Sequence, residues 1–238
     1  MRVVIAGGHG KIALHLQRLL SGRRDTPVAL IRNPDHTDDV RAAGGEAVVF
    51  DLESGGVVEL AEHLEGADAA VFAAGAGPGS GIPRKDTVDR AGAALLAEGA
   101  QRAGVRRYLL VGSMGVDTDD PNWTPPDDVG EVFAAYLEAK AASERDLYGR
   151  DLDWTVLRPG RLTDEDPTGK VHLAPPKVER GEVSRADVAA VLVALLDEPR
   201  TAGRTLELVG GEQPVADAVR LVVAGRPTPI RAGRRAGR

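Results

Sequence analysis

The stretch Arg2-Val3-Val4-Ile5-Ala6-Gly7-Gly8-His9-Gly10-Lys11-Ile12-Ala13 joins an apolar run, a glycine-rich turn and the start of an amphipathic segment. Residues 2–6 predict a strand bounded by glycines. Residues 11–20 predict a helix, because Ile12, Leu16, Leu19 and Leu20 recur at helical spacing. Gly7, Gly10 and Ala13 fit the pattern G-x-x-G-x-x-A between the two. Gly7 permits a tight turn, and Gly10 has no Cβ to hold a phosphate away from the backbone. Ala13 is small enough for close helix–sheet packing. The helix start offers free N–H groups and the positive end of its dipole. A pyrophosphate held on Gly7, Gly8, His9, Gly10, Lys11 and Ile12 is the expectation, with His9 as a solvent-exposed loop residue.

Outward from this turn, short apolar runs alternate with amphipathic ones. Strands are predicted at 27–31, 47–50, 69–74, 107–111, 154–157 and 205–209, and helices at 57–64, 87–103, 131–148, 185–196 and 214–223. Strands separated by helix-length crossovers imply βαβ units and a parallel sheet. Right-handed crossovers wind such units into a doubly wound, Rossmann-type α/β sheet with helices on both faces. One domain over residues 1–224 is expected, with the Arg-rich end forming a flexible tail at 225–238. Three long polar loops, 75–84, 116–130 and 163–177, follow predicted strands. Ligands in open α/β sheets lie outside the carboxyl ends of the strands, so these loops are expected to wall a substrate cleft.

Composition narrows the function. The 238 residues are 42% hydrophobic but only 3% aromatic, so the core must be built from Ala, Val and Leu. A net charge of −6 argues against nucleic acid as the main partner, because phosphate binding needs a basic face. The absence of cysteine excludes disulfides, thiolate catalysis and zinc–thiolate sites. The acidic run Asp164-Glu165-Asp166 lacks the spacing of a calcium loop, and no metal site is expected. No apolar run reaches the roughly 18 residues of a membrane span, and a strand pattern starts at once where a signal peptide would lie. A cytoplasmic chain acting on a small molecule, away from membranes, is the expectation. The Ala-rich helices at 87–103 and 131–148 could pair in a homodimer or stay solvated.

The second strand ends in Leu30-Ile31-Arg32-Asn33-Pro34. NAD binders place an acid near this position for the ribose 2′-hydroxyl. Arg32 instead matches a 2′-phosphate in charge and geometry, and Lys11 could approach the same region. This points to NADP, while Asp35 keeps NAD open. Asp51-Leu52 follow the third strand, where Asp51 could accept from the adenine amino group or cap the next helix.

The chain resembles the atypical short-chain dehydrogenase/reductases, in particular their NAD(P)-binding, NmrA-like branch. The resemblance covers residues 1–223. It rests on Ile5-Ala6-Gly7-Gly8-His9-Gly10, Ala73-Ala74-Gly75, Leu110-Val111-Gly112-Ser113, Tyr136 with Lys140, Trp154-Thr155-Val156-Leu157-Arg158-Pro159-Gly160, and Ser184-Arg185-Ala186-Asp187-Val188-Ala189. It implies that Ala73, Ala74 and Gly75 lie against the cofactor's adenosine ribose and centre, and that Ser113 sits near the nicotinamide. Pro159, Gly160, Arg161 and Leu162 would close over the nicotinamide ring.

Tyr136 and Lys140 lie four apart in one predicted helix and share a face. A phenol is a poor acid at neutral pH unless a cation lies near it. With Ser113 donating to a substrate carbonyl, Tyr136 could protonate that oxygen and Lys140 could hold the nicotinamide ribose. The competing reading makes Tyr136 an ordinary helix aromatic beside Phe133 and pairs Lys140 with Glu144. Arg158 is expected in an ion pair rather than on substrate, and His172 could face the cleft. The leading function is an NADP(H)-dependent oxidoreductase reducing a small carbonyl or quinone-like substrate. The alternative is a non-catalytic NADP-binding redox sensor of the NmrA-like type. An epimerase ranks last, because only about 80 residues follow Arg158.

Overall fold

The computed structural model describes residues 1–77 and 79–224; the expected tail at 225–238, with its arginines, lies outside them. The first six strands are β1 (Arg2–Ala6), β2 (Thr26–Ile31), β3 (Glu46–Val49), β4 (Ala69–Phe72), β5 (Arg107–Val111) and β6 (Asp153–Pro159). They are followed by β7 (Arg161–Thr163), β8 (Lys170–Ala174), β9 (Glu182–Ser184), β10 (Arg204–Gly210) and β11 (Gln213–Pro214). Nine of the strands form one sheet in the order β11-β8-β10-β6-β5-β4-β1-β2-β3. From β3 to β10 the pairings are all parallel, and β8 returns antiparallel to β10 and β11. This is the doubly wound sheet expected, with its topological switch between β1 and β4.

The helices are α1 (Lys11–Gly22), α2 (Thr37–Ala42), α3 (Val57–Leu64), α4 (Ile82–Arg84), α5 (Ala93–Arg102), α6 (Glu131–Tyr148), α7 (Arg185–Leu196) and α8 (Val215–Ala224). Side chains alternate across a strand, and β1 shows how the two cores are filled. Val3 and Ile5 meet Leu16 and Leu20 of α1 together with Val188 and Leu192 of α7. Val4 and Ala6 face the opposite way, into a core shared with Leu60 of α3 and Leu96 of α5. Each fully buried Leu, Ile or Val contributes about 1.5–3 kcal/mol relative to exposure. The buried Tyr108 hydroxyl donates to the Ala93 carbonyl at 3.1 Å, tying β5 to α5.

Two sequence expectations give way here. Residues 163–177 are not one polar loop, because β8 lies within them. Val171 and Leu173 face the core while Lys170 and His172 face outward, so antiparallel pairing with β10 buries one side only. Nor is 87–103 one α-helix. Its first turns belong to a π-helical segment, Lys85–Gly92, which then passes into α5. Such wide turns are rare and occur mostly at functional sites. This one buries two charged groups, Lys85 and Asp89. Among the described residues, no helix is long and apolar enough to cross a membrane.

Candidate functional site

The glycine turn lies where the topology puts it, at the carboxyl end of β1 beside the switch point. Gly7 has φ +78°, and a Cβ there would lie 2.5 Å from Ala74 Cα, so only glycine fits. Gly8 donates to the Leu30 carbonyl at 2.9 Å and Gly10 to the Gly7 carbonyl at 2.8 Å, which locks the loop against β2. Gly10 is the N-cap of α1, and no side chain caps its first turn. The free N–H groups of that turn are left for an anion. Ala13 is fully buried, as close packing requires, and the Ile12 side chain also enters the core, leaving its backbone to face the loop.

A cavity of about 390 Å³ opens on this turn, lined by Gly7, Gly8, His9 and Gly10, by Arg32, Asp51 and Leu52, and by Ala73, Ala74 and Gly75. Ten of the residues singled out in the sequence thus converge on one groove. Among the further lining residues are two charged ones that the sequence did not mark, Glu53 and Arg84. Glu53 accepts from Arg32 at 3.0 Å, from Arg84 at 2.7 Å and from the Thr87 hydroxyl at 2.6 Å. The Arg84 guanidinium, more than any other partner, holds the Glu53 carboxyl below the usual carboxylate range. Asp51 does not cap α3, whose N-cap is Gly56; its side chain accepts from the Glu53 N–H at 3.0 Å. His9 is half-buried rather than exposed, with its ring stacked on His36 at 3.6 Å and Nε2 2.7 Å from Asp39. Lys11 turns away from Arg32. Its Nζ meets Asp164 at 2.5 Å, and Arg185 meets the same carboxylate at 2.7 Å.

Gly75 and Ala76 also border a second, larger cavity of about 1240 Å³, so the two form a continuous groove. Ser113, Tyr136, Pro159, Gly160, Arg161 and Leu162 all line it. Loops 75–84 and 116–130 contribute walls through Gly77 and Gly79 and through Pro126 and Val129; loop 163–177 contributes none. A strap closes the far side. β7 and β9 pair parallel, and the Arg161 N–H donates to the Gly181 carbonyl at 2.9 Å. A Cβ on Gly160 would lie 2.3 Å from that same carbonyl oxygen, so the strap can dock only over glycine.

Two cations stand near the Tyr136 ring. Lys85 Nζ and Lys140 Nζ each stand 5.7 Å from its ring centroid, within cation–π range. Lys140 is 3% exposed, lies 3.3 Å from Asp89 Oδ1 and donates to the Val111 carbonyl at 3.1 Å. Its expected alternative partner, Glu144, is taken instead by Arg158 at 2.6 Å in a fully buried pair. Arg158 therefore has the ion-pair role expected of it. His172 points outward from β8 and lines neither cavity. Among the described residues no group of acids or histidines is placed to hold a metal.

Residues 7–199 match the family described as NAD(P)H-binding. The chain is 35% identical over 221 residues to the uncharacterized sugar epimerase YhfK of Bacillus subtilis, covering 92% of this chain and 99% of that protein. Its fold superposes, with a TM-score of 0.83 at 34% identity, on a putative NAD-dependent epimerase/dehydratase from Bacillus halodurans, covering 93% of this chain and 99% of that one. It also superposes on ChuY, an anaerobillin reductase from Escherichia coli O157:H7, with a TM-score of 0.74 at 24% identity, covering 88% and 97%. A glycine turn that only glycine can make, an uncapped helix start above it and a groove running to the strap agree with these likenesses, and the chain belongs to the NAD(P)H-binding family of atypical short-chain dehydrogenase/reductase-like proteins.

Proposed function

We propose that the chain is an NADP(H)-dependent oxidoreductase that reduces a small carbonyl or quinone-like substrate. The observation that carries this reading is the convergence of Ser113 and Tyr136 on one cavity that joins the glycine-turn groove at Gly75 and Ala76. The bound dinucleotide would supply the hydride. Ser113 would orient the substrate oxygen by donating its hydroxyl proton in a hydrogen bond, which requires it to leave the Met114 carbonyl it now meets at 3.1 Å. Tyr136 would deliver the proton to that oxygen. Lys85 and Lys140, each 5.7 Å from the ring centroid, would help hold the ring and draw negative charge toward the site.

Arg32 and Arg84 at the adenosine end support NADP over NAD. Glu53, the carboxylate that both arginines contact, is already engaged by them and by Thr87. Met114, Val129, Val132, Phe133, Leu137 and Leu162 suit the second cavity to an apolar, planar substrate. The test is NADPH oxidation across a panel of quinones, flavins and aromatic carbonyls by wild type and Tyr136→Phe. Turnover that collapses in the variant supports the reading. Tight NADPH binding with no oxidation of any member would instead favour the non-catalytic sensor.

A further inference from the structure

Asp89 is fully buried on the π-helical segment, yet it borders the second cavity. Its Oδ2 accepts from the Ala76 N–H at 3.1 Å. Its Oδ1 has the Lys140 ammonium 3.3 Å away but receives no hydrogen bond. Buried carboxylate oxygens are nearly always satisfied, and one that is not calls for an explanation. The direction of this oxygen supplies one. A Cβ on Gly75 would lie 3.3 Å from Asp89 Oδ1, and Gly75 is one of the two residues, with Ala76, that border both cavities. Oδ1 therefore faces the floor of the groove where the cavities meet.

We infer that Asp89 is a binding residue whose Oδ1 accepts a hydrogen bond from a hydroxyl of the nicotinamide-side ribose. This rests on the dinucleotide reading above. The position lies beyond the glycine turn on the side of Ser113 and Tyr136, which is where a second ribose follows a pyrophosphate. A carboxylate is a strong acceptor for a sugar hydroxyl. Lys140 has its ammonium committed to Asp89 and the Val111 carbonyl and is 3% exposed, so it supports the carboxylate rather than reaching the sugar. Sequence spacing suggested Lys140 for the ribose; on this inference Asp89, which borders the cavity, makes that contact and Lys140 stands behind it.

The test is calorimetric titration of NADPH and of 2′,5′-ADP, which lacks the nicotinamide ribose, into wild type, Asp89→Asn and Asp89→Asn/Lys140→Met. The double variant removes both buried charges, so the result does not depend on the single variant tolerating an unpaired ammonium. The expected outcome is an NADPH Kd raised about tenfold in the variants, as for loss of a charge-assisted hydrogen bond, with 2′,5′-ADP binding within twofold of wild type. A further titration uses an NADPH analogue lacking the 2′-hydroxyl of the nicotinamide ribose and one lacking the 3′-hydroxyl. One of them should bind wild type more weakly than NADPH does, and the variants should not register its loss. Unchanged NADPH affinity in the variants overturns the assignment, and so does equal weakening of NADPH and 2′,5′-ADP. Wild type that binds neither ligand defeats the dinucleotide reading itself, which is a different failure.

Discussion

Arg32→Ala is the most direct test of cofactor choice. Arg32 lies at the carboxyl end of β2, its side chain is 56% exposed, and it holds Glu53 through a single contact at 3.0 Å. Removing it should therefore leave the fold intact, since one exposed ion pair is worth about 0–1 kcal/mol. Its effect on a 2′-phosphate should be larger. A hydrogen bond to a charged group contributes about 1.5–3 kcal/mol, and each 1.4 kcal/mol is about tenfold in Kd. Arg84 reaches the same Glu53 at 2.7 Å and would remain as a second cation, so the lower part of that range applies. The expected outcome is an NADPH Kd raised about 10- to 30-fold with NADH affinity unchanged, both read by titration of nicotinamide fluorescence at fixed ionic strength. Thermal melts should place the variant's Tm within about 3 °C of wild type, from the same small ion-pair term. If NADPH and NADH weaken together, Arg32 supports the groove rather than the phosphate. If neither changes, it is only a solvated strand end.

Other outcomes follow from the same geometry. Tyr136→Phe should lower NADPH oxidation by about 10²–10⁴-fold, the usual contribution of a general acid, while the NADPH Kd stays within twofold; full activity would remove Tyr136 from proton delivery. Glu144→Ala takes from Arg158 its near carboxylate and leaves only the more distant Glu207 at 3.9 Å, in a site where Arg158 and Glu144 are at most 2% exposed. Its cost of about 3–5 kcal/mol should lower Tm by roughly 6–20 °C, and a fall of less than 3 °C in calorimetry would show that the pair contributes little. Gly160→Ala drives a methyl to 2.3 Å from the Gly181 carbonyl. It should cost about 1–3 kcal/mol and loosen the strap, seen as faster amide exchange in β7 and β9; exchange rates like those of wild type would contradict a tight seat for the strap.

The sheet was legible where hydrophobic period and crossover length agree. Val3 to Ala6 alternate between two covered faces and therefore read as one apolar run, which is how a buried parallel strand appears. α3 and α6 begin and end where their periodicity does. β8 was missed although its signal is present, because Val171, His172 and Leu173 alternate over too short a span to stand out among the prolines and acids around them. The π-helical turn at 85–92 left no mark at all. A 3.6-residue and a wider helix carry the same apolar residues over eight positions, so periodicity does not separate them.

The sequence alone determined that a glycine turn leading into a helix follows β1, because Gly7, Gly10 and Ala13 act through local backbone geometry and close packing, which need no distant partner. It also placed Arg32, Ser113 and Tyr136 at strand ends and on a helix that a doubly wound sheet must bring to one edge. Which charged groups meet there was decided only by the tertiary structure. Lys11 went to Asp164, 153 residues away, and Lys140 to Asp89; Glu53 gathered Arg32 and Arg84. Long charged side chains reach several ångströms from their own backbone. Their partners are fixed by crossovers and burial, which periodicity and spacing do not encode.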